Sequence, residues 1–160
     1  MIQLTTHFTL ADFRHGDAIP DDLIPIFTEL AEKILEPVRV EFNSEIDILS
    51  GYRSPKENAE AHGQPNSEHM ATGTMCACDF KIRKVGQRFC FDWMRTNPTL
   101  PYHQLILENS ADGSSIIHVS INKMMPGIRS VLTGATHNTA PYQKVDHVAY
   151  APPSSGTVMA

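Results

Sequence analysis

Apolar and polar residues alternate along this chain with two different periods. From Leu23 to Phe42 the apolar residues Leu23, Ile26, Phe27, Leu30, Ala31, Ile34, Leu35 and Val38 recur at three- and four-residue steps. That spacing predicts a long amphipathic helix with one core-facing stripe. Asp21 or Asp22, after Pro20, is placed to cap its start. Pro25 suits the first turn, whereas Pro37 falls inside the pattern and predicts a kink or a fresh start. The period then changes to two. Glu45–Ser50 reads Glu-Ile-Asp-Ile-Leu-Ser, a short alternating strand ended by Gly51-Tyr-Arg-Ser-Pro. Lys56–Ala61 predicts a short helix and His62-Gly-Gln-Pro-Asn-Ser a loop. Met75–Ile82 reads as a second strand, and Arg88–Arg95 as a helix carrying Phe89, Phe91, Trp93 and Met94. Gln104–Glu108 and Ile116–Ile121 predict a hairpin whose long polar loop contains Asp112-Gly113. From about Ala135 the pattern gives way to Thr, Asn, Pro, Ser and Gly. A folded domain over 1–134 and a loosely packed or disordered tail over 135–160 are therefore expected.

Composition narrows the class. A chain of 160 residues, 41% hydrophobic and 19% charged, suits one globular domain with its own core. A formal net charge of -5, without clustered Lys and Arg, argues against a nucleic-acid partner and against general attraction to an anionic membrane. No apolar run approaches the roughly 20 residues that span a bilayer. The three cysteines, Cys76, Cys78 and Cys90, are odd in number and badly spaced for a disulfide framework, so small buried thiols are expected. The opening Met1-Ile-Gln-Leu-Thr-Thr-His-Phe lacks a basic region followed by an apolar core. The expectation is a monomer made in the cytoplasm without a signal peptide.

Two of the eight histidines stand out by context. His69 closes Ser67-Glu68-His69 at the end of a Gly/Pro-rich loop, ten residues before Asp79, which lies between Cys78 and Phe80. His118 lies within Ile-Ile-His-Val-Ser. Polar groups in such apolar strands are costly unless paired or bound to a cation. Two histidines and an aspartate are a workable three-ligand set for catalytic zinc with one position open; buried, hydrogen-bonded His and Asp are the alternative. Strand periodicity adds a fourth residue. Residues 104, 106 and 108 share one face, as do 116, 118 and 120, so pairing of the two strands would put Glu108 on the face of His118. A carboxylate there could serve as general base; otherwise Glu108 ends a strand in solvent. Arg53, in Gly-Tyr-Arg-Ser-Pro, could hold a substrate carboxylate or a developing oxyanion, or form a surface salt bridge.

These residues fall within motifs that resemble those of the M15 zinc peptidases, a group of D-Ala-D-Ala carboxypeptidases and phage endolysins. The nearest likeness is to a small subgroup headed by a Phe-Thr-Leu-x-Glu-Phe segment. Phe8-Thr-Leu-Ala-Asp-Phe13 is similar to that opening, and Leu35-Glu-Pro-Val-Arg39 to the Leu-x-Pro-x-Arg end of the long helix. Ser50-Gly-Tyr-Arg-Ser-Pro-Lys-Glu-Asn58 resembles the Ser-Gly-Tyr-Arg-Ser-x-x-x-Asn motif, and Gly63-Gln-Pro-Asn-Ser-Glu-His69 the approach to the metal. Gln104-Leu-Ile-Leu-Glu108 and Ile117-His-Val-Ser120 match the closing pair. The likeness runs from about Phe8 to Leu132, in the family's order.

The resemblance implies an α+β fold, with N-terminal helices packed on a small, mainly antiparallel sheet and a zinc site in a surface cleft. It implies one Zn2+ per chain held by His69, Asp79 and His118, with Glu108 and Arg53 catalytic. The substrate is expected against Arg53, Ser67, Asn58 and Gln104. Two departures stand out. Many relatives carry an acidic base three residues before the last histidine, where this chain has Ser115. The usual seven steps between the first two ligands become ten, which places three extra residues in the intervening loop. Coordination by Cys76 or Cys78 is the alternative, although Cys78 should face away from Asp79 on a strand. The implied activity is hydrolysis of a peptide bond in peptidoglycan stem peptides, in a phage lysis enzyme that reaches the bacterial wall after release. The other readings are a non-catalytic, zinc-containing wall-binding or phage structural module, and a metal-binding partner domain unconnected with the wall.

Overall fold

The computed structural model describes residues 1–136 and 141–154; the expectation for the tail at 137–140 and 155–160 lies outside them. The apolar stripe of the N-terminal half becomes one continuous helical run. A short 3-10 turn at Asp21–Leu23 leads into α1 (Ile24–Leu30), a π turn at Ala31–Leu35, and α2 (Glu36–Phe42). The helical run continues through Pro37 without a break. Proline has no N–H to donate, and its ring crowds the carbonyl four residues back. The widened turn before it meets this constraint, with the Glu36 amide donating to the carbonyl of Ala31. Asn43, in the left-handed conformation with φ 44°, ends α2.

Six strands follow: β1 (Ile46–Ser50), β2 (Met75–Ile82), β3 (Gln104–Asn109), β4 (Ser115–Asn122), β5 (Ser130–Ala135) and β6 (Gln143–Lys144). They form one sheet in the order β1-β2-β4-β3-β5-β6. All pairs are antiparallel except β3 with β5. Two further helices, α3 (Pro55–Glu60) and α4 (Gln87–Thr96), lie between strands. Both β2 and β3 run antiparallel to β4, so they are parallel to each other, and β2–α4–β3 is a crossover whose gap β4 fills. The last predicted hairpin is the β3–β4 pair, and the fold class is the expected α+β.

The sheet has two unlike faces. Cys76, Cys78 and Phe80 of β2, Leu105 and Leu107 of β3, and Ile117, Val119 and Ile121 of β4 join the apolar side chains of α1, α2 and α4 in one core. Complete burial of side chains such as Phe80 contributes roughly 1.5–3 kcal/mol each. The alternate residues face the other way, as period two demands. One row crosses every strand on that second face: Ser50, Asp79, His118, Ile106, Leu132 and Lys144 are register partners in turn. The stretch expected to be loose beyond Ala135 makes specific contacts where it is described. β6 pairs with β5, the Val148 amide donates to Arg95, and the carbonyl of Val148 accepts from Arg129 Nη1 at 2.7 Å. The guanidinium of Arg129 also bonds the carbonyls of Asn97 and Leu100. This network, rather than apolar periodicity, holds the segment in place.

Candidate metal centre

His69, Asp79 and His118 come together on the polar face. β2 and β4 set Asp79 directly opposite His118. His69 arrives from the loop, on a 3-10 turn at Glu68–Met70 whose preceding Ser67 accepts the His69 amide at its hydroxyl. A tight turn, with the Thr72 amide donating to the carbonyl of Met75, takes up the extra length between the two ligands. The strand beyond it is regular, so Cys76 and Cys78 point into the core and stay out of the cluster. Burial pushes the thiols of both well up.

The ligand atoms are close and share one polarity. His69 Nε2 stands 3.2 Å from His118 Nδ1 and 3.3 Å from Asp79 Oδ1, and His118 Nδ1 stands 2.9 Å from Asp79 Oδ1. Ligands at about 2.05 Å around a tetrahedral zinc lie roughly 3.3 Å apart. The outer nitrogens fix the tautomers. His69 Nδ1 donates to the carbonyl of Gly51 at 2.7 Å, and His118 Nε2 donates to Gln104 Oε1 at 3.1 Å. A neutral ring so held turns its bare nitrogen inward, so two lone pairs and a carboxylate face one another with no hydrogen between them. That arrangement calls for a cation, and the three residues fit a single zinc ion. Without metal the same demand falls on protons. Burial would push the Asp79 carboxyl up, but the charge of His69 and the hydrogen bonds of both histidines hold it far below its usual range. Burial would push His118 down, but its bond to Asp79 and the nearby carboxylates raise it.

Gly51 is required at this point. A Cβ there would run into the backbone of Phe13, whose carbonyl accepts the Tyr52 amide at 2.9 Å. The N-terminal segment thus locks the carbonyl that orients His69.

The other expected residues divide. Arg53 reaches the centre: its Nη2 stands 3.6 Å from Asp79 Oδ2 and donates to Ser50 Oγ at 3.2 Å. Glu108 lies on the metal face, two residues along β3 from the Ile106–His118 pair, and accepts from Tyr142 Oη at 3.1 Å. Gln104 is engaged with His118, and Ser67 with the His69 amide. Asn58 is not brought to the cluster. It is buried behind the loop and donates to the carbonyl of Gln64 at 2.9 Å, bracing the approach to His69. Ser115, at the position where relatives are acidic, falls on the face opposite His118 by strand parity and donates to Asn109. Sequence reasoning missed Glu68 and Tyr142. Glu68 is buried beside His69 and accepts from His103 Nδ1 at 2.6 Å.

The centre meets solvent on one side, through Asp79 and Arg53, 16% and 28% exposed at the side chain, while His69 and His118 are nearly closed off. Cavities of about 590 and 260 Å³, beside Arg39 and Lys84 and beside Tyr102 and Tyr150, are lined by none of the three ligand residues.

A helix-backed, mainly antiparallel sheet that presents a two-histidine, one-aspartate cluster beside an arginine defines a candidate mononuclear metal centre of the metallopeptidase kind. Residues 10–119 match the family model described as Peptidase M15, and the chain belongs to that family. The matched stretch contains all three cluster residues, Arg53 and Glu108, and ends before β5 and β6. No curated protein and no solved structure matches the chain.

Proposed function

We propose that this protein is a zinc peptidase that hydrolyses a peptide bond in the stem peptides of bacterial peptidoglycan, as a D-Ala-D-Ala carboxypeptidase or an endolysin-type endopeptidase. The observation that carries the reading is the cluster itself: three acceptor atoms 2.9–3.3 Å apart, with both imidazole tautomers fixed from outside. Family membership supplies the reaction class.

A zinc ion held by His69, Asp79 and His118 would supply Lewis acidity toward the scissile carbonyl and would acidify a water at its open position. Glu108 takes the proton from the attacking water and returns it to the leaving amine. Arg53, anchored by Ser50 and facing Asp79, holds the substrate carbonyl oxygen as its charge develops. Glu108 is favoured as base because the regular pairing of β4 turns position 115 away from the metal face, while β3 presents an acid on that face. No helix among the described residues is long and apolar enough to cross a membrane. We place the activity at the bacterial wall, in a monomer released during phage lysis.

Isolated peptidoglycan incubated with the protein, with and without chelator, tests the reading by mass spectrometry of released fragments. Chelator-sensitive cleavage is expected, and the new termini name the bond. Intact peptidoglycan in the presence of stoichiometrically bound zinc would overturn the peptidase reading in favour of a wall-binding or phage structural module.

A further inference from the structure

We propose that Tyr142 is a positioning residue of the active site, holding the Glu108 carboxylate from the far edge of the sheet. The inference rests on the reading of Glu108 as the base. It comes from a row of residues that crosses three strands. Glu108 of β3 is the register partner of Gly134 in β5. β6 pairs antiparallel with β5, with Gln143 opposite Thr133, so the residue before Gln143 falls opposite Gly134. That residue is Tyr142. The middle position of the row carries no side chain, and the tyrosine ring occupies the vacant space: a Cβ on Gly134 would run into Cδ1 of Tyr142. Lying over the glycine, the ring brings its hydroxyl to Glu108 Oε1, where it donates at 3.1 Å. Burial and then the Glu108 charge push the phenol up, so it remains a donor at neutral pH.

The arrangement has a chemical purpose. Glu108 stands near the end of β3, next to the hairpin loop, where a carboxylate without a partner is free to rotate. One bond to Oε1 fixes the plane of the carboxylate and leaves Oε2 to accept a proton. Effective proton transfer depends on such fixed geometry. Gly134 and Tyr142 both lie beyond the residues that match the family, so this chain supports its base with a segment outside the common domain.

The test uses the full chain and a soluble disaccharide-pentapeptide prepared from bacterial wall. Tyr142→Phe keeps the ring and removes the donor. It is expected to lower kcat about tenfold or more, the usual weight of a hydrogen bond to a charged group, with KM changed less than about twofold and zinc content unchanged. Gly134→Ala, which displaces the ring, is expected to lower kcat comparably. The double variant should then lose little beyond either single one, because both act through one contact. Thermal unfolding of each variant shows that the domain has remained folded. If wild type cleaves, Glu108→Gln does not, and Tyr142→Phe keeps the wild-type kcat, the positioning role is wrong and the base assignment stands. If wild type does not cleave, or Glu108→Gln cleaves at full rate, the base assignment fails and the role of Tyr142 with it.

Discussion

Asp79 touches each part of the candidate centre, with Oδ1 toward both histidines and Oδ2 toward Arg53. Asp79→Ala would leave two imidazole nitrogens 3.2 Å apart with no anion between them. Zinc affinity should fall by at least about a hundredfold and cleavage should cease, which titration with a zinc indicator and the wall-digestion assay would record. Undiminished binding in that variant would remove Asp79 from the ligand set. Residue energetics singled out Asp79 and His118 as groups in need of partners, and the family resemblance joined them with His69 as a ligand set. An aspartate and a histidine in apolar strands require partners, and period two put Glu108 on the face of His118. The roles of Asn58 and Gln104 were not legible, because both depend on where an amide points once the loop and the sheet have closed. Gly51 looked like a strand breaker, and its carbonyl acquires meaning only when Phe13 packs against it.

At the scale of elements, the N-terminal segment is tied to the helical run through one acid. Glu36 accepts from Thr5 Oγ1 at 2.6 Å, from the His7 amide at 2.9 Å and from His7 Nδ1 at 2.7 Å. Burial alone would push its carboxyl up, but these bonds outweigh that and hold it below its ordinary value of about 4.5. A depressed folded-state pKa means that the stability from Glu36 is fully present above the unfolded value and is lost as pH falls through the folded one. Glu36→Gln should therefore unfold at a lower temperature than wild type at neutral pH, and the gap should narrow below about pH 4. A gap that stays constant through acid would show that the carboxylate charge is not what ties the two segments. The strands β1 to β4 and helices α3 and α4 followed the period of their side chains and were readable in advance. β5 and β6 were not. β5 is a short run containing Gly134, and β6 spans two exposed residues held by pairing with β5. The π turn also escaped notice, since Pro37 signals a constraint without saying how the backbone meets it.

The whole molecule is organised around β4. The mixture of helices and strands was visible in the change from a three-to-four-residue period to a two-residue period, and the resemblance supplied the α+β packing. The order of strands was not, because nothing local says that β4 enters between β2 and β3. That entry has a kinetic side. During synthesis β2, α4 and β3 emerge before β4, and β2 and β3 are not paired with each other until β4 fills the slot between them. β4 is the keystone of the sheet, and it also carries the third ligand. The cation should therefore be captured only as the sheet closes, because pairing distant in sequence is the slow part of assembling such a fold. In stopped-flow refolding, uptake of zinc is expected to coincide with the β-sheet circular dichroism signal or to follow it. Tight uptake that runs ahead of that signal would mean that the ligands find one another without the strand. If the order holds, an incompletely assembled chain cannot retain the ion, and the candidate centre gains its metal in the same event that finishes the architecture.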